Sequence, residues 1–345
     1  MKAIDDLKVV VITEKHRAGN KALGLSVTEQ SLSSVVEAAG VHSITRIHCD
    51  THEIFHYEKF ESTLQYSNTF SQTRGVTDSS ITTIIESLSP DFVIYSQSPT
   101  SMGGLGQPID DLITTNLHPI TVLFVTEVLK IPVIMVWWDC DGDDFPRIEG
   151  RYPSVYNYVA DLFDPHGHAR YPDKCIYDLP TSADTRIANN PDTERDIPVS
   201  FVGDPGSDGD RKKYIEFLEG RGIQVYHPDL SGSRSLTSEE YFNYYKRSKI
   251  TLNFSSGHLK GRLTEAMFCG CLVVEPDTTK ASDFFVPYQH YVPYSNVDDL
   301  FGKISYYLTH DKERTAIANA GCHYCHDTFG PKSWITRLAS KMGIV

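Results

Sequence analysis

Short apolar, β-rich runs alternate with helical patterns along the chain, and this alternation restricts the fold more than any other feature. The predicted strands are residues 8–13, 43–48, 92–96, 133–137, 160–163, 175–177, 199–203, 224–226, 250–254, 271–275 and 291–293. Helical periodicity covers residues 27–39, 79–89, 211–220, 238–247, 297–308 and 311–326. Such alternation is typical of parallel sheets with helices on both faces. We therefore predict an α/β fold with Rossmann-like, doubly wound sheets.

A polar segment divides the chain into two halves. Residues 179–198 contain three prolines, and Asn-Asn-Pro-Asp at 189–192 is a turn signal. Segments of this kind commonly connect domains. We predict an N-terminal domain of residues 1–180 and a C-terminal domain of residues 181–330. Pro331 interrupts the last helical stretch, so residues 331–345 are predicted to form a separate final helix.

The composition is that of an ordinary globular protein, and it argues against some function classes. Of the 345 residues, 40% are hydrophobic, which suffices for two cores. The net charge of −13 argues against a nucleic-acid-binding protein, which would usually be basic. No apolar run approaches the roughly 20 residues that span a bilayer, and the acidic start Met-Lys-Ala-Ile-Asp-Asp is unlike a signal peptide. We expect a cytoplasmic protein whose seven cysteines are free thiols.

Residues 260–276, KGRLTEAMFCGCLVVEP, combine a short helix with a buried strand, because Gly270 ends the helical pattern and an apolar run follows. Lys260 and Arg262 lie at the helix start, and Glu265 lies one turn in. A helix N-terminus attracts phosphate, and the two cations add full charge. Glu265 can accept both hydroxyls of a ribose. The segment therefore suits a nucleoside diphosphate, although a solvated helix with a weak Arg262–Glu265 ion pair is the alternative.

The pattern Arg-x-x-Glu-Ala-x-x-x-Gly-x-x-Val-Val in this segment resembles the donor-binding segment of GT-B glycosyltransferases. It is most similar to the spore-maturation-protein-like branch of the group 1 glycosyltransferases. Residues 196–203, 250–254 and 306–338 are also similar to that branch. The family usually has two glutamates eight residues apart. Glu265 matches the second, but Gly257 stands at the position of the first, which leaves donor-sugar recognition and the stereochemistry of transfer open.

This resemblance implies two Rossmann-like domains that face each other across a cleft. The N-terminal domain would bind the acceptor, the C-terminal domain the donor, and the final helix would cross back onto the N-terminal domain. The implied activity is transfer of a sugar, a hexose, from a UDP or GDP sugar to a carbohydrate, glycan or other small acceptor. GT-B enzymes generally hold the diphosphate with helix dipoles and basic side chains, so no metal or other cofactor is expected.

Two loops at predicted strand ends supply further donor-site candidates. Residues 203–213, beginning with Gly203, form a glycine-rich loop that opens a helix, and Arg211 and Lys212 could reach the diphosphate. An ordinary βα loop is an equally good interpretation. Ser255 and His258 follow a strand and could contact the nucleotide or the sugar, although helix capping explains the serine equally well.

Two loops in the N-terminal half supply candidates for catalysis. His16 and Gly19 follow the first strand, where the resemblance places a loop that faces the cleft. Asp139 and Asp141 lie in Trp-Trp-Asp-Cys-Asp-Gly-Asp-Asp at 137–144, after another strand. Asp139, Asp141 or His16 could be the base that deprotonates an acceptor. A divalent metal site or a solvated acidic loop are the alternatives for the aspartates, but the calcium-loop glycine is missing and the resemblance argues against a metal.

The segment Cys-His-Tyr-Cys-His at 322–326 matches a haem-attachment pattern. Such haems are attached outside the cytoplasm, so haem is not expected here. Two functions remain open beside the transferase. A nucleotide-sugar-binding protein without catalysis would need no base, and a nucleotide-sugar epimerase would release nucleotide without forming a glycoside. A nicotinamide oxidoreductase is disfavoured because no Gly-x-Gly-x-x-Gly follows the first strand.

Overall fold

The structure is a computed structural model. It describes residues 2–13, 35–48, 54–58, 74–97, 119–137, 154–159, 175–176, 188, 193–203, 209–228, 236–254, 259 and 261–345. The chain divides into two compact units. Unit 1 consists of Met1–Pro180 together with Pro331–Val345, and unit 2 consists of Thr181–Gly330.

The strands belong to two sheets, one in each unit. In unit 1 they are β1 (Lys8–Thr13), β2 (Ser43–His48), β3 (Ile54–Glu58), β4 (Phe92–Gln97), β5 (Val133–Trp137), β6 (Tyr156–Val159) and β7 (Cys175–Ile176). In unit 2 they are β8 (Ile197–Ser200), β9 (Ser248–Leu252), β10 (Leu272–Pro276) and β11 (Val292–Tyr294). None of the described helices is long and apolar enough to cross a membrane.

The helices of the described part of the chain include α1 (Arg74–Leu88), α2 (Pro119–Leu123), α3 (Gly209–Gly220), α4 (Ser238–Arg247), α5 (Arg262–Phe268), α6 (Val297–Thr309), α7 (Asp311–Phe329) and α8 (Pro331–Lys341). A π-helical turn, Phe124–Val128, continues α2. Pro331 is the first residue of α8, a position where its fixed φ and missing N–H cost nothing.

The sheet of unit 1 has the order β3-β2-β1-β4-β5-β6-β7. Its neighbouring strands are parallel except for β3, which runs antiparallel to β2 at the edge. One face packs on α8, whose Trp334 and Leu338 join a core with Val9 and Ile94. The other face packs on α1 and α2 through a second core that includes Ile85. Both faces are therefore covered, as in a doubly wound domain.

The sheet of unit 2 is parallel and has the order β11-β10-β9-β8. Tyr226 extends it by a single bridge on the free side of β8: Phe201 N donates to Tyr226 O at 2.8 Å, and Tyr226 N donates to Val199 O at 2.9 Å. The chain therefore leaves β8 toward one side, while β9 lies on the other. This reversal of strand order is a topological switch point, where open α/β sheets bind ligands at the carboxyl ends of their strands.

The prediction of an α/β architecture with Rossmann-like sheets matches both units, but some elements differ. β3 and β6 were not predicted, because Ile-Phe-His-Tyr-Glu and Tyr-Asn-Tyr-Val mix polar and apolar residues without a long apolar run. The predicted strand at residues 224–226 is reduced to the bridge at Tyr226. The predicted strand at residues 160–163 lies outside the described residues.

Candidate nucleotide-binding site

Residues from two segments, 196–203 and 250–254, lie close together at the carboxyl ends of β8 and β9. Val202 and Gly203 follow β8, and Asn253 and Phe254 follow β9. The Phe201 and Phe254 rings pack edge to face with centroids 5.1 Å apart, which fills the apolar core beneath this edge. Val202 and Gly203, which follow Phe201, lie at this edge of the sheet, at its switch point.

Arg262, the first residue of α5, reaches this edge. Its Nη1 donates to the carbonyl oxygen of Val202 at 3.4 Å, and its guanidinium lies over the Phe201 ring, 5.8 Å from the ring centroid. Gly203 lies directly against it, because a Cβ on Gly203 would be 2.5 Å from Arg262 Nη1. A half-buried arginine is thus placed at the carboxyl end of β8, where an anion would gain most from its charge.

Glu265 lies one turn further along α5 and is contacted from α4. Its Oε2 accepts the Tyr241 hydroxyl at 2.5 Å, and the hydroxyl oxygens of Tyr241 and Tyr245 are 3.1 Å apart. Burial, with the charge of Glu265 adding to it, raises the pKa of both tyrosines above their usual value. Both phenols therefore keep their protons at neutral pH, and Glu265 is the acceptor.

Asn253 presents a buried amide at the same edge. Its backbone N donates to Val274 O at 3.0 Å, and its carbonyl accepts the Tyr294 hydroxyl at 3.0 Å. The side chain is 2% exposed, yet neither its Nδ2 nor its Oδ1 has a hydrogen-bond partner in the described part of the chain. A buried amide without a partner costs about 1–3 kcal/mol. Such a group at a switch point indicates a place where a polar ligand or water completes the hydrogen bonds.

Arg195, which the sequence analysis did not single out, fixes the far end of α5. Its Nη1 donates to Tyr245 O at 3.1 Å and to Ser248 O at 2.7 Å, and its Nη2 donates to Cys269 O at 2.6 Å. One guanidinium thus joins the C-terminal ends of α4 and α5, where a cation is favoured by the helix dipoles. Residues separated by 50 to 74 positions meet here, so no local pattern reveals the role of Arg195.

The cysteines and histidine of residues 322–326 pack against α5. Cys322 Sγ donates to Phe268 O at 3.5 Å, and His326 Nε2 lies 3.2 Å from the same oxygen. Cys325 Sγ is 3.5 Å from Met267 Sδ, and burial raises the pKa of the Cys325 thiol well above its usual value. Cys269, Cys271, Cys322 and Cys325 are free cysteines. The Cys-x-x-Cys-His segment therefore holds α7 on α5.

The other predicted donor-site residues are only partly described. Arg211 is half-buried on α3, and Lys212 is exposed with its Nζ 3.8 Å from Glu216 Oε1. The remaining predicted site residues lie outside the described part of the chain: His16, Gly19, Asp139, Asp141, Ser255, His258 and Lys260. Within the described residues, no group of three or more His, Cys, Asp or Glu side chains could hold a metal ion.

Comparison with known proteins shows a family match for part of the chain and structural likenesses for nearly all of it. Residues 196–340 match the family described as glycosyl transferase-like. HepE of Anabaena in complex with UDP-glucose is 8% identical with a TM-score of 0.59, over 98% of this chain and 100% of that chain. A glycosyltransferase from Rickettsia africae ESF-5 is 12% identical with a TM-score of 0.56, over 99% of both chains. A putative UDP-N-acetylglucosamine 2-epimerase from Listeria monocytogenes is 12% identical with a TM-score of 0.53, over 99% of this chain and 98% of that chain.

No curated protein sequence matches the chain. The structural likenesses establish the fold, which is that of the GT-B glycosyltransferases, so the predicted fold class is confirmed. Residues 196–340, which match the glycosyl transferase-like family, contain Arg262, Glu265, Tyr241 and Asn253.

Proposed function

We propose that the protein is a glycosyltransferase that takes its sugar from a nucleotide-diphosphate sugar bound by unit 2. One observation carries the proposal: Arg262 contacts the carboxyl end of β8 at the switch point, and Glu265 follows one helical turn along α5, in the part of the chain that matches the glycosyl transferase-like family. A cation and a carboxylate at this spacing suit the diphosphate and the ribose of one nucleotide. UDP-glucose in the similar HepE structure supports the same class of donor.

Arg262 neutralises the diphosphate, whose negative charge grows as the sugar leaves. Lys260, Arg211 and Lys212 contribute further positive charge, and Gly203 allows close approach of the phosphates. Glu265 accepts the ribose hydroxyls, and Ser255 and His258 contact the nucleotide or the sugar. Because basic side chains supply the charge, catalysis requires no divalent metal. The same charges would hold a UDP or a GDP donor.

The first 180 residues bind the acceptor, a carbohydrate, glycan or other small molecule, in this proposal. Asp139, Asp141 or His16 is the base if the enzyme inverts the anomeric centre, and Gly19 belongs to the loop near the phosphates. The transferred sugar is a hexose. Membership of the spore-maturation-protein-like branch rests on the sequence resemblance of residues 196–203, 250–254, 262–274 and 306–338.

An epimerase is the second candidate, because the epimerase-like protein from Listeria shares the fold over nearly the whole chain. The two activities differ in their products. A transferase forms a new glycoside and releases nucleotide diphosphate, in proportion to the acceptor consumed. An epimerase converts the sugar without an acceptor. Product analysis by mass spectrometry, with and without a mixture of carbohydrate acceptors, distinguishes them.

A thermal-shift panel of UDP, GDP, TDP, CDP and ADP with their common sugars tests donor binding. A ligand that binds only the folded protein adds about 2.7 kcal/mol of stability at 100 times its Kd. We expect a shift with one nucleotide family that is equal in EDTA, magnesium and manganese. A shift that appears only with metal would overturn metal independence, and no shift with any nucleotide would overturn the donor site.

Glu265→Ala should weaken binding of that nucleotide by about 1.5–3 kcal/mol, the value of hydrogen bonds to a charged group. Isothermal titration of the folded variant measures the loss. Glu219→Ala is the matched control, because Glu219 is an exposed carboxylate on α3 of the same unit. Affinity that is unchanged in both variants would remove Glu265 from the site.

A further inference from the structure

Glu265 accepts a hydrogen bond from Tyr241, which lies on another helix, α4. Tyr241 is outside residues 262–274, the segment that resembles the family pattern. Tyr241 and Tyr245 are four residues apart, so they share one face of α4. Their hydroxyls form a short chain that ends on Glu265 Oε2, with oxygen separations of 3.1 Å and 2.5 Å. The two rings pack edge to face with centroids 5.2 Å apart, which fixes the direction of both hydroxyls.

The protons that the two tyrosine hydroxyls keep determine which hydroxyl donates each hydrogen bond. Burial raises the pKa of Tyr241 well above its usual value, and the Glu265 carboxylate raises it further. Tyr241 therefore keeps its proton at neutral pH and donates to Glu265. Tyr245 can donate to Tyr241 in turn, since burial also raises its pKa. Hydrogen bonds arranged in such a chain strengthen one another.

Tyr241 contacts one of the two oxygens of the Glu265 carboxylate. An ionised carboxylate offers about four acceptor positions, and Tyr241 occupies one of them on Oε2. Two neighbouring hydroxyls of a ribose need two acceptor positions with a fixed separation and a fixed plane. A side chain that rotates freely would have to be ordered on binding, whereas a carboxylate already oriented by a second residue would not.

We propose that Tyr241 is a positioning residue that orients Glu265 to recognise the 2′- and 3′-hydroxyls of a ribose, with Tyr245 supporting it. The site thereby selects ribonucleotides over deoxyribonucleotides. This inference rests on the proposed role of Glu265 in nucleotide binding. Tyr241 touches no reacting atom, so its effect lies in affinity and in ribose selectivity.

The test is isothermal titration of the full chain with UDP, 2′-deoxy-UDP, GDP and 2′-deoxy-GDP. In Tyr241→Phe the ring stays and only the hydroxyl is lost. We expect the affinity for the bound ribonucleotide to fall about three- to tenfold, the size of one net hydrogen bond. The affinity for its 2′-deoxy form should fall much less, so the ratio of the two Kd values moves toward one.

Two further variants complete the test. Tyr244→Phe removes a hydroxyl from the same helix at a half-buried position and should leave both affinities unchanged. Tyr245→Phe should move the selectivity in the same direction as Tyr241→Phe but by less, because it acts through Tyr241. It also keeps the inference testable if Tyr241→Phe does not fold.

The outcomes separate this inference from the proposed function. If the unmodified protein binds a ribonucleotide no better than its 2′-deoxy form, or binds neither UDP nor GDP, the role of Glu265 fails and the inference fails with it. If the unmodified protein is selective and Tyr241→Phe weakens both forms equally, Tyr241 is structural only. That result overturns the inference and leaves the proposed function intact.

Discussion

The missing side chain of Gly203 determines where the Arg262 guanidinium can lie. A Cβ at residue 203 would come within 2.5 Å of Arg262 Nη1 and within 2.8 Å of Phe201 Cζ. Real Cβ atoms do not approach other atoms so closely, so either the guanidinium or the ring would have to move. Position 203 thus couples the loop after β8 to the charge at the start of α5.

Gly203→Ala should therefore weaken nucleotide binding, because it displaces Arg262 from the carboxyl end of β8. We expect a loss of about 1.5–3 kcal/mol, the range for a hydrogen bond to a charged group. Titration with the preferred nucleotide measures it. Gly220→Ala is a suitable control, since a Cβ there meets nothing within 4 Å. Wild-type affinity in Gly203→Ala would contradict the placement of Arg262 in the site.

At the scale of elements, the packing of α7 determines how α5 is presented. His326 and Cys322 contact the last carbonyl of α5, and Gly321 lets α7 approach the loop before β11. A Cβ on Gly321 would overlap the His290 carbonyl oxygen and lie 3.3 Å from the carbonyl carbon. The backbone at His290 cannot move aside as a side chain could. A glycine is therefore required at residue 321, where α7 comes close to this backbone.

Gly321→Ala should destabilise unit 2 by about 1–3 kcal/mol, the usual cost of overpacking. Gly302→Ala provides the matched comparison, because Gly302 lies within α6 and its Cβ would meet nothing within 4 Å. That variant should gain about 0.5–1 kcal/mol from the higher helix propensity of alanine. Urea unfolding of both variants measures the difference, and equal stabilities would contradict the close approach at Gly321.

At the scale of the whole molecule, the last helix belongs to the first unit. Trp334 is 1% exposed in the core that also contains Leu7 and Val9 of the chain start. The two ends are also joined directly, because Lys2 N donates to Ile344 O at 3.3 Å. Unit 1 therefore completes its core only when residues 331–345 are in place.

Trp334→Ala should destabilise unit 1 by about 3–5 kcal/mol, because it removes a large buried ring from this core. Ser340→Ala on the exposed side of α8 should change stability by less than about 0.5 kcal/mol. Thermal unfolding followed by near-UV circular dichroism compares the two. A loss in Trp334→Ala no larger than that in Ser340→Ala would show that α8 does not close the core.

Elements with strong local signals were predicted well. β1, β2 and α4 begin and end where the sequence predicts, and Thr237 and Glu240 form a capping box that explains the start of α4. The edge strand β3 was missed, because its residues mix polar and apolar side chains and it is identified only by its pairing with β2. Arg262, Glu265 and Gly203 are singled out by the sequence because they lie in short motifs, and their roles in binding stay predictions.

The sequence by itself determined the alternation of strands and helices, the α/β class and the charged start of α5, because these depend on patterns within a few residues. The tertiary structure alone decided which residues meet around α5. Tyr241 and Glu265 are 24 residues apart, and Arg195 and Cys269 are 74 apart. Their contacts arise from the packing of α4 and α5 in unit 2, and no local periodicity encodes such distances.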